Sequence, residues 1–334
     1  MSYAVVIVNW NGADDTRACL DSFLAASPEA VAIVVDNGSQ DDSVAQLVAA
    51  LQSRGIAPLR ARGEADATGL ADALPRHRVA LVEAGENLGF AAGCNLGLRL
   101  AQAAGLAVTV FLNNDTVVEG DALDRLVDRL AWPDGCFACL PMLTVHGSDL
   151  IWNCGGEVYS VGLRRYHLAG RPRSTAQGRG EIRCSFFTGC CFAVGTAGFV
   201  ARGGFSERFF FGEEDFELAL WMKDRGLSAV CLTDAVVQHR VSASFNRAAA
   251  DRQSAKVFVY YLNRFIHMRL RLGEAWWWLW STAYLPYTVA LLLRTGFVSP
   301  GRMPGFIGNL LRLARTMDGV TRADFEAMMR GDLP

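Results

Sequence analysis

Acidic, amide and histidine side chains in this chain stand directly after apolar runs, where a folded sheet would hold them rigidly. Asp115 closes the segment Asn113-Asn114-Asp115, which follows the apolar run 108–112, and His239 follows another apolar run. Carboxylate oxygens bind Mg²⁺ and Mn²⁺, and imidazole nitrogen is a further ligand for transition metals. The two residues are candidates for one metal site if the fold brings them together. The alternatives are a helix cap for Asp115 and a structural position for His239.

A second candidate for chemistry is the run of three carboxylates at Glu213, Glu214 and Asp215, which follows a stretch rich in phenylalanine. A carboxylate that is partly desolvated has a raised pKa, which suits a general base. The residues after Asp215 predict an apolar helix, and acidic residues are also favoured in a first helical turn. The pattern is therefore typical of a base and of simple helix stabilisation alike.

Two polar segments, 36–41 and 86–95, have the composition of nucleotide-binding loops. Asp36 follows a predicted strand, as do acidic residues that bind ribose or base in nucleotide-binding folds. It also suits an Asx turn that leads into a helix. The glycines of 86–95 permit close backbone approach at a helix N-terminus, where phosphate binds readily. Glycine-rich loops are common, so this segment indicates nucleotide binding only in combination with the others.

The elements that would position these groups alternate between strands and helices in the N-terminal part of the chain. Strands are predicted at 4–8, 31–35, 79–83 and 108–112, and helices at 16–26, 41–51 and 91–103. Continuous apolar strands of this kind form a parallel sheet covered on both faces, and ligands bind at the carboxyl ends of its strands. The charged segment 59–78 is predicted to be a surface excursion. After residue 136 short mixed strands are expected.

Composition places the chain among globular proteins and argues against nucleic-acid binding. Of 334 residues, 51% are hydrophobic and 20% are charged, and the net charge is −2, so no basic field would collect nucleic acid. Nine cysteines, an odd number, without a preceding apolar signal segment predict a reduced cytosolic setting. Cys136 and Cys139 form a C-x-x-C that suits half a zinc site or a redox pair, but ordinary buried thiols are the favoured interpretation.

Taken in order, these segments resemble glycosyltransferase family 2, and most of all its bacterial branch with rhamnosyltransferases of cell-surface polysaccharide assembly. The matching segments are Val-Asn-Trp-Asn-Gly (8–12), Val-Asp-Asn-Gly-Ser (35–39), Glu-Asn-Leu-Gly-Phe (86–90), Leu-Asn-Asn-Asp (112–115), Gly-Phe-Ser-Glu-Arg-Phe-Phe (204–210), Glu-Glu-Asp (213–215) and His239. The resemblance implies a GT-A fold, an α/β architecture with a Rossmann-like mixed sheet flanked by helices. We expect a GT-A domain over 1–250, with a nucleotide-binding half (1–116) and an acceptor-binding half (117–250). A helical, apolar C-terminal extension (251–334) follows it.

The resemblance also implies a role for each matching residue. In the donor site, the nucleoside contacts would be Asn9, Asn11 and Asp36, and the residues lining the nucleotide-sugar pocket would be Asn87 and Asn95. Asn113-Asn114-Asp115 occupies the place of the family's Asp-x-Asp, with Asn113 in place of the first aspartate. Asp115 and His239 would then hold Mg²⁺ or Mn²⁺, and Asp215, with Glu214 as its neighbour, would be the base.

These roles predict an inverting, metal-dependent glycosyltransferase that uses a nucleotide-sugar donor. By resemblance dTDP-rhamnose is the favoured donor and UDP-sugars come second, and the acceptor would be a glycan or lipid-linked hydroxyl. A nucleotidyltransferase would carry a basic glycine-rich loop after its first strand, where this chain has Asn9-Trp10-Asn11-Gly12. A catalytically degenerate, membrane-attached nucleotide-binding scaffold is the non-enzymatic alternative. Asp115, Asp215 and His239 are all present, which argues against it.

The segment 275–293 carries no charged residue and includes four of the chain's tryptophans. Its length permits a membrane-spanning helix. Pro286 and the clustered aromatic residues favour instead a kinked helix or hairpin in the membrane interface, and a buried packing or oligomer surface is the third possibility. We expect a cytoplasmic protein, peripheral at the inner face of the plasma membrane. The sequence does not predict its oligomeric state.

Overall fold

The computed structural model describes residues 2–132, 135–240 and 250–332, with the side chains of 250–252 excepted. The strands are β1 (Tyr3–Asn9), β2 (Ala30–Asp36), β3 (Leu59–Arg62), β4 (Val79–Glu83), β5 (Val108–Leu112), β6 (Thr116–Val118), β7 (Ala138–Val145), β8 (Ile151–Asn153), β9 (Gly156–Val158), β10 (Arg164–Tyr166), β11 (Glu181–Cys184), β12 (Cys191–Gly195) and β13 (Ala229–His239). The helices are α1 (Ala13–Leu24), α2 (Ser43–Gln52), α3 (Gly63–Gly69), α4 (Phe90–Ala103), α5 (Ala122–Leu130), α6 (Thr196–Ala201), α7 (Glu214–Asp224), α8 (Ala250–Leu272), α9 (Glu274–Thr295), α10 (Met303–Thr316) and α11 (Arg322–Arg330).

One mixed sheet organises the first part of the molecule. Its strands follow the order β11-β13-β7-β12-β5-β1-β2-β4-β3, with β6 added to β13 and β8 added to β7. The five strands from β5 to β3 are parallel. Strand β12 enters antiparallel between β5 and β7, and β13 runs parallel to β7. The predicted mixed α/β sheet flanked by helices is confirmed.

Apolar residues on alternate positions of the strands build a core on each face of the sheet. Val6 and Ile33 belong to the cluster that includes the buried residues of α4. Their chain neighbours Val5 and Val34 belong to the opposite cluster, with buried residues of α1 and α2. Successive strand side chains point to opposite faces, so a strand buried on both sides must be apolar throughout. Each large apolar side chain contributes about 1.5–3 kcal/mol to stability on burial. Because this burial holds the strands in place, the polar groups at the strand ends are held in place as well.

The segment 59–78 differs from the predicted surface excursion. It contains the edge strand β3 and the short helix α3, and β3 pairs in parallel with β4. Among the described strands β3 pairs with β4 alone. Its charged residues interrupt the apolar pattern by which a strand is predicted, as is common at sheet edges. Arg60 Nη2 in β3 lies 2.6 Å from Glu83 Oε1 in β4, so the charge itself joins the two strands.

The chain divides into two compact units. The first comprises Met1–Val158, Arg164–Ser206 and Leu218–Val241, and the second comprises Tyr159–Leu163, Glu207–Glu217 and the described part of Ser242–Pro334. Helices α8 to α11 lie in the second unit, as expected for a helical C-terminal extension. The predicted domain boundary at residue 250 adjoins residues 241–249, which lie outside the described residues, and it stays a prediction.

Helix α9 accounts for the uncharged segment 275–293. It is one helix with Pro286 in its interior, not a hairpin. Within residues 2–132, 135–240 and 250–332, no helix combines the length and the apolarity needed to cross a bilayer.

The nine cysteines are all free thiols. Cys139 is buried in β7, and the half-buried Cys136 donates to the Ala138 carbonyl at 2.8 Å. Across the described ranges, no group of three or more His, Cys, Asp or Glu side chains is arranged to hold a metal ion. The C-x-x-C therefore has the surroundings of ordinary thiols.

Candidate active site

Asp115 and His239 are brought together by strand pairing. Asp115 lies in the turn between β5 and β6, and His239 is the last residue of β13, as predicted. Strands β6 and β13 pair with Thr116 opposite His239, which places Asp115 beside the ring. Asp115 Oδ1 and His239 Nε2 are 3.2 Å apart, and both side chains are partly accessible. The chain runs from Asp115 into β6 while α5 begins only at Ala122, so the alternative of a helix cap for Asp115 is wrong.

The donor atoms of this pair fit a divalent cation. An octahedral ion with bonds of about 2.1 Å holds neighbouring ligand atoms about 3 Å apart, which matches the separation of Asp115 Oδ1 from His239 Nε2. One oxygen and one imidazole nitrogen suit Mn²⁺, whereas Mg²⁺ prefers oxygen alone. Trp152 packs on the histidine ring with centroids 4.4 Å apart and helps to fix its plane. In the part of the chain that the structure describes no third such side chain joins the pair, so phosphate oxygens and water would complete the coordination.

A compact polar network occupies the carboxyl end of β2, next to β1. Asp36 Oδ1 accepts hydrogen bonds from Asn9 Nδ2 at 2.8 Å and from the Ser39 hydroxyl at 2.6 Å. Asp36 Oδ2 accepts from the Ser39 backbone N–H at 3.1 Å, which is the turn that the sequence offered as the structural alternative. The carboxylate retains lone pairs, because two oxygens together accept about four hydrogen bonds. Turn formation and nucleoside recognition by Asp36 are therefore compatible.

Asn9 and Asn11 differ in what they can touch. Asn9 is fully buried, its Nδ2 is bound to Asp36, and its Oδ1 accepts from the Thr16 hydroxyl at 2.7 Å. Its side chain supports Asp36 from a buried position, and its predicted contact with the nucleoside stays a prediction. Asn11 is exposed in the left-handed region at φ 50°, and its Oδ1 accepts from the Gln40 N–H at 2.8 Å. Asn11 is thus placed where the predicted contact can occur.

Thr16, which the sequence analysis did not single out, extends the network toward the metal pair. Asn114 Nδ2 donates to the Thr16 hydroxyl at 3.1 Å, and that hydroxyl donates to Asn9. The carboxyl ends of β2, β1 and β5 are therefore linked by one chain of hydrogen bonds. The neighbouring Asn113 is anchored by its N–H to the Cys190 carbonyl at 2.8 Å. The signal for Thr16 was only its position one turn into the first helix, which many threonines share.

The loop 86–90 is docked on the turn after β2. Asn37 Nδ2 donates to Asn87 Oδ1 at 3.1 Å and to the Gly89 carbonyl at 3.1 Å. Gly38 has φ 71°, and a Cβ there would lie 2.4 Å from the Glu86 carbonyl carbon. Only glycine permits that approach. Asn87 remains half-buried beside the start of α4, in keeping with its predicted place at the pocket.

Asn95 is bound by the backbone of the loop that follows α6. It lies on the buried face of α4, with Nδ2 donating to the Phe205 carbonyl at 2.9 Å and Oδ1 accepting the Phe205 N–H at 2.8 Å. A Cβ at Gly204 would lie 2.3 Å from that oxygen. Both polar atoms of the amide bind the Phe205 backbone, so Asn95 fixes the loop that follows α6. Its predicted place in the nucleotide-sugar pocket stays a prediction.

The three carboxylates at 213–215 have separate environments. Glu213 is buried with φ 76°, and its Oε1 lies 2.7 Å from Arg264 Nε and 3.0 Å from His267 Nδ1. Burial by itself raises the pKa of the Glu213 carboxyl, but Arg264 and His267 outweigh it, and the pKa lies below its ordinary value. Arg264 also lies over the Phe216 ring, 3.3 Å from the ring centre. We call Glu213, Arg264 and His267 the buried ion cluster.

Glu214 and Asp215 begin α7 and are half-buried. The structure thus removes Glu213 from the candidates for the base and leaves Glu214 and Asp215 side by side in the first turn. Their predicted roles stay predictions. The phenylalanine stretch before them is only partly buried, since Phe209 is enclosed and Phe211 is exposed. Arg264 and His267 were missed because they lie in α8, among aromatic residues that matched no motif.

The amino-acid sequence was compared with those of known protein families and curated proteins. Residues 4–196 match the sequence profile described as "Glycosyl transferase family 2". A curated relative, "O-antigen biosynthesis protein RfbC" of Myxococcus xanthus, is 33% identical over 150 residues. That match covers 43% of this chain and 12% of the relative, so the chain spans about an eighth of the curated protein that it matches.

Solved structures with the same fold are glycosyltransferases. GalNAc-T7 with UDP, GalNAc and Mn²⁺ has a TM-score of 0.56 at 15% identity, over 99% of this chain and 56% of that one. S. aureus TarS 1-349 has a TM-score of 0.52 at 14% identity, over 98% and 83%. The mannosyltransferase PcManGT from Pyrobaculum calidifontis, with GDP-Man and Mn²⁺, has a TM-score of 0.51 at 17% identity, over 95% and 86%. The predicted GT-A fold is confirmed.

Proposed function

The chain belongs to glycosyl transferase family 2, and from this premise we propose that it transfers a sugar from a nucleoside-diphosphate donor to an acceptor hydroxyl, with inversion at the anomeric carbon. The observation that carries the proposal is the Asp115–His239 pair, 3.2 Å apart at the sheet edge where ligands of such folds bind. The hydrogen-bonded chain from Asn114 to Asp36 supports a donor that extends from the metal pair to the nucleoside-binding turn.

In the proposed reaction the acceptor oxygen bonds to the anomeric carbon as the bond from that carbon to the phosphate oxygen breaks. Asp215 takes the hydroxyl proton, and the electron pair of the broken bond leaves with the nucleoside diphosphate. Asp115 and His239 would hold Mn²⁺ or Mg²⁺, which would neutralise charge on the leaving diphosphate as a Lewis acid. Asp36 and Asn11 would orient the nucleoside, and Asn87 would border the sugar.

The choice of donor and acceptor rests on resemblance. We propose dTDP-rhamnose as donor, with UDP-sugars second, and a glycan or lipid-linked acceptor in cell-surface polysaccharide synthesis. The similarity to a protein named for O-antigen biosynthesis supports the surface polysaccharide, within the short stretch that the two chains share. We further propose a cytoplasmic location at the inner face of the plasma membrane, which the nine free thiols and the exposed face of α9 support.

A screen of nucleotide sugars by thermal shift tests the donor site. The protein is heated with dTDP-rhamnose, UDP-glucose or GDP-mannose, each with Mn²⁺ and again with EDTA. At one hundred times Kd a ligand stabilises the folded state by about 2.7 kcal/mol, which raises Tm by about 5 °C. We expect such a shift for one donor class, and its loss in EDTA.

Two results would count against the proposal. If no donor raises Tm in Mn²⁺, the donor site is wrongly assigned. If a donor binds but no nucleoside diphosphate is released when acceptors from bacterial lipid and glycan extracts are supplied, the degenerate scaffold is the better description.

A further inference from the structure

Helix α9 has an apolar face toward solvent as well as one toward its neighbours. Its buried side includes Trp277, Trp280 and Tyr284. The opposite side carries Trp276, 67% exposed, and Leu279, 62% exposed. We call the outward-facing residues 275, 276, 279, 283, 287, 290 and 293 the exposed α9 face. No residue between 274 and 294 is charged, so the face extends for about 28 Å without a charge. Exposed apolar surface of this extent marks a binding surface.

Aromatic residues on and beside the exposed α9 face are of the kind that occupy a membrane interface. Trp276, Trp278 and Tyr287 are all exposed, and each combines an apolar ring with one polar atom. Tryptophan and tyrosine concentrate at the headgroup level of bilayers for that reason. A helix whose apolar face runs along its whole length lies in the plane of the interface.

A cationic cleft adjoins the start of α9. It has a volume of about 370 Å³ and is lined by Trp278, Glu274 and the α10 residues Arg312 and Arg315. The Arg315 guanidinium lies 5.4 Å from the centre of the Trp278 ring and 3.8 Å from Glu274 Oε1. The residues that line the cleft carry two guanidinium groups and one carboxylate, so the formal charge of the lining is positive. Guanidinium groups bind phosphate through paired N–H donors.

We propose that the exposed α9 face and the Arg312–Arg315 cleft dock the protein on an anionic phospholipid bilayer. The aromatic and aliphatic side chains enter the interface, the two arginines hold lipid phosphate, and Arg294 at the end of α9 adds a further cation. The charge of the cleft favours an anionic lipid surface over a second copy of this chain, which would bring like charges together. The inference rests on the membrane location proposed above and deepens it by naming the surface and the lipid charge, and its test does not depend on glycosyl transfer.

Flotation of the full chain with vesicles tests this surface. Vesicles of phosphatidylcholine alone are compared with vesicles that contain one third phosphatidylglycerol, at low and at high salt. We expect binding to the anionic vesicles and weaker binding at high salt, because salt screens exposed charges. W276Q/L279Q should bind at least about tenfold less, since two exposed apolar side chains no longer enter the interface. R312Q/R315Q should lose the preference for anionic lipid.

Matched controls are available in the first unit. W132Q removes another exposed tryptophan, 60% accessible, and R62Q removes another exposed arginine, and both should bind as the wild type does. Circular dichroism checks that each variant is folded, and quenching of the wild-type tryptophans by brominated lipid tests insertion without any substitution. The proposal is overturned if the wild type binds neither vesicle or if W276Q/L279Q binds like W132Q. It is also overturned if sedimentation shows a dimer that W276Q/L279Q dissolves in the absence of lipid.

Discussion

Two histidine–carboxylate pairs in this chain share almost the same geometry, but their carboxylates differ in burial, with the Asp115 side chain 19% exposed and that of Glu213 1% exposed. In the first unit His239 Nε2 lies 3.2 Å from Asp115 Oδ1, and both side chains are partly accessible. In the second unit His267 Nδ1 lies 3.0 Å from Glu213 Oε1, and Arg264 Nε approaches the same oxygen to 2.7 Å. Glu213 and Arg264 expose only 1% and 2% of their side chains.

The third partner decides what each pair can do. Arg264 neutralises Glu213 within the protein, and this holds a carboxylate charged in a buried place where desolvation alone would cost several kcal/mol. Near Asp115 the cation is Arg240, but its guanidinium binds Asp15 at 2.6 Å and gives Asp115 only a backbone N–H. Within the described residues no guanidinium pairs with the Asp115 carboxylate as Arg264 does with Glu213, and the metal ion proposed above would supply that positive charge. A histidine beside a carboxylate indicates a metal site only where no internal cation completes the group.

The largest expected effect is a loss of turnover when Asp215 is replaced. Asp215 lies two residues after Glu213, which belongs to the buried ion cluster. Asp215→Asn removes the proposed base, and general-base help is worth about 10²–10⁴ in rate. We expect kcat to fall by that factor while Tm and nucleotide binding are unchanged. Glu214→Gln, in the same helical turn, is the matched control and should retain most activity. If Asp215→Asn keeps more than a tenth of the wild-type rate, or Glu214→Gln is the weaker enzyme, the base is wrongly assigned.

Substitution of Glu213 should affect folding more than any other change in this acidic run. Glu213→Gln leaves the Arg264 guanidinium buried without its carboxylate, and breaking a buried ion pair costs about 3–5 kcal/mol. Urea unfolding should show that loss. The double variant Glu213→Gln, Arg264→Met should recover part of it, because no unpaired charge remains. Equal stability of Glu213→Gln and the wild type would show that the cluster does not stabilise the second unit.

At the Asp115–His239 pair we expect the reverse of the Glu213 result, namely a loss of activity with little change in stability. Asp115→Asn should lower turnover by about 10²–10³, the cost of removing one preorganised electrostatic group, and should abolish the effect of Mn²⁺ on nucleotide binding. The free energy of unfolding without ligand should stay within about 0.5 kcal/mol of the wild-type value, as for most substitutions outside the core. Asp128→Asn, on the exposed side of α5, is the control. A Mn²⁺-dependent nucleotide shift that survives in Asp115→Asn would remove this residue from the metal site.

The smallest effect expected is the pH dependence of the buried ion cluster. The pKa of the Glu213 carboxyl is lowered in the folded protein, so the charge contributes stability above the unfolded pKa of about 4.3. That contribution is lost as the pH falls through the folded pKa. The difference in unfolding free energy between wild type and Glu213→Gln should be full at pH 7 and should shrink below about pH 4.3. Exposed Glu207, replaced by Gln, should show a small difference at every pH. A difference that grows as the pH falls would contradict the cluster's role.

The fold could be predicted from the sequence where burial on both faces of a strand requires an apolar residue at nearly every position. Strands β1, β2, β4 and β5 are apolar at nearly every position because both faces are buried, and their predicted bounds agree with the observed ones to within one residue. Strand β3 was missed because an edge strand needs only one apolar face and can carry charge on the other. The hydrophobic pattern of a segment therefore predicts a strand only where burial restricts the residue type at every position.

The site could be predicted in part, for a similar reason. Residues at strand ends, such as Asp36, Asp115 and His239, are placed by the strands before them, and the sequence shows those strands. Asn9 and Asn95 were predicted to touch the nucleotide sugar, and the structure buries both. The sequence shows an asparagine alike whether its amide binds a ligand, other side chains as in Asn9 or backbone as in Asn95. Thr16 and Arg264 carried no signal, because each acts through a contact that is distant in sequence.

The sequence by itself determined the parallel nucleotide-binding half, the polar groups at its strand ends and the resemblance to family 2. Only the tertiary structure decided that Asp115 meets His239, because the pairing of β6 with β13 joins residues far apart in the chain. Only the tertiary structure separated Glu213 from Glu214 and Asp215, because Arg264 comes from a helix fifty residues later. A charge is fixed by sequence, but whether it is neutralised inside the protein or left for a ligand depends on what the fold places beside it.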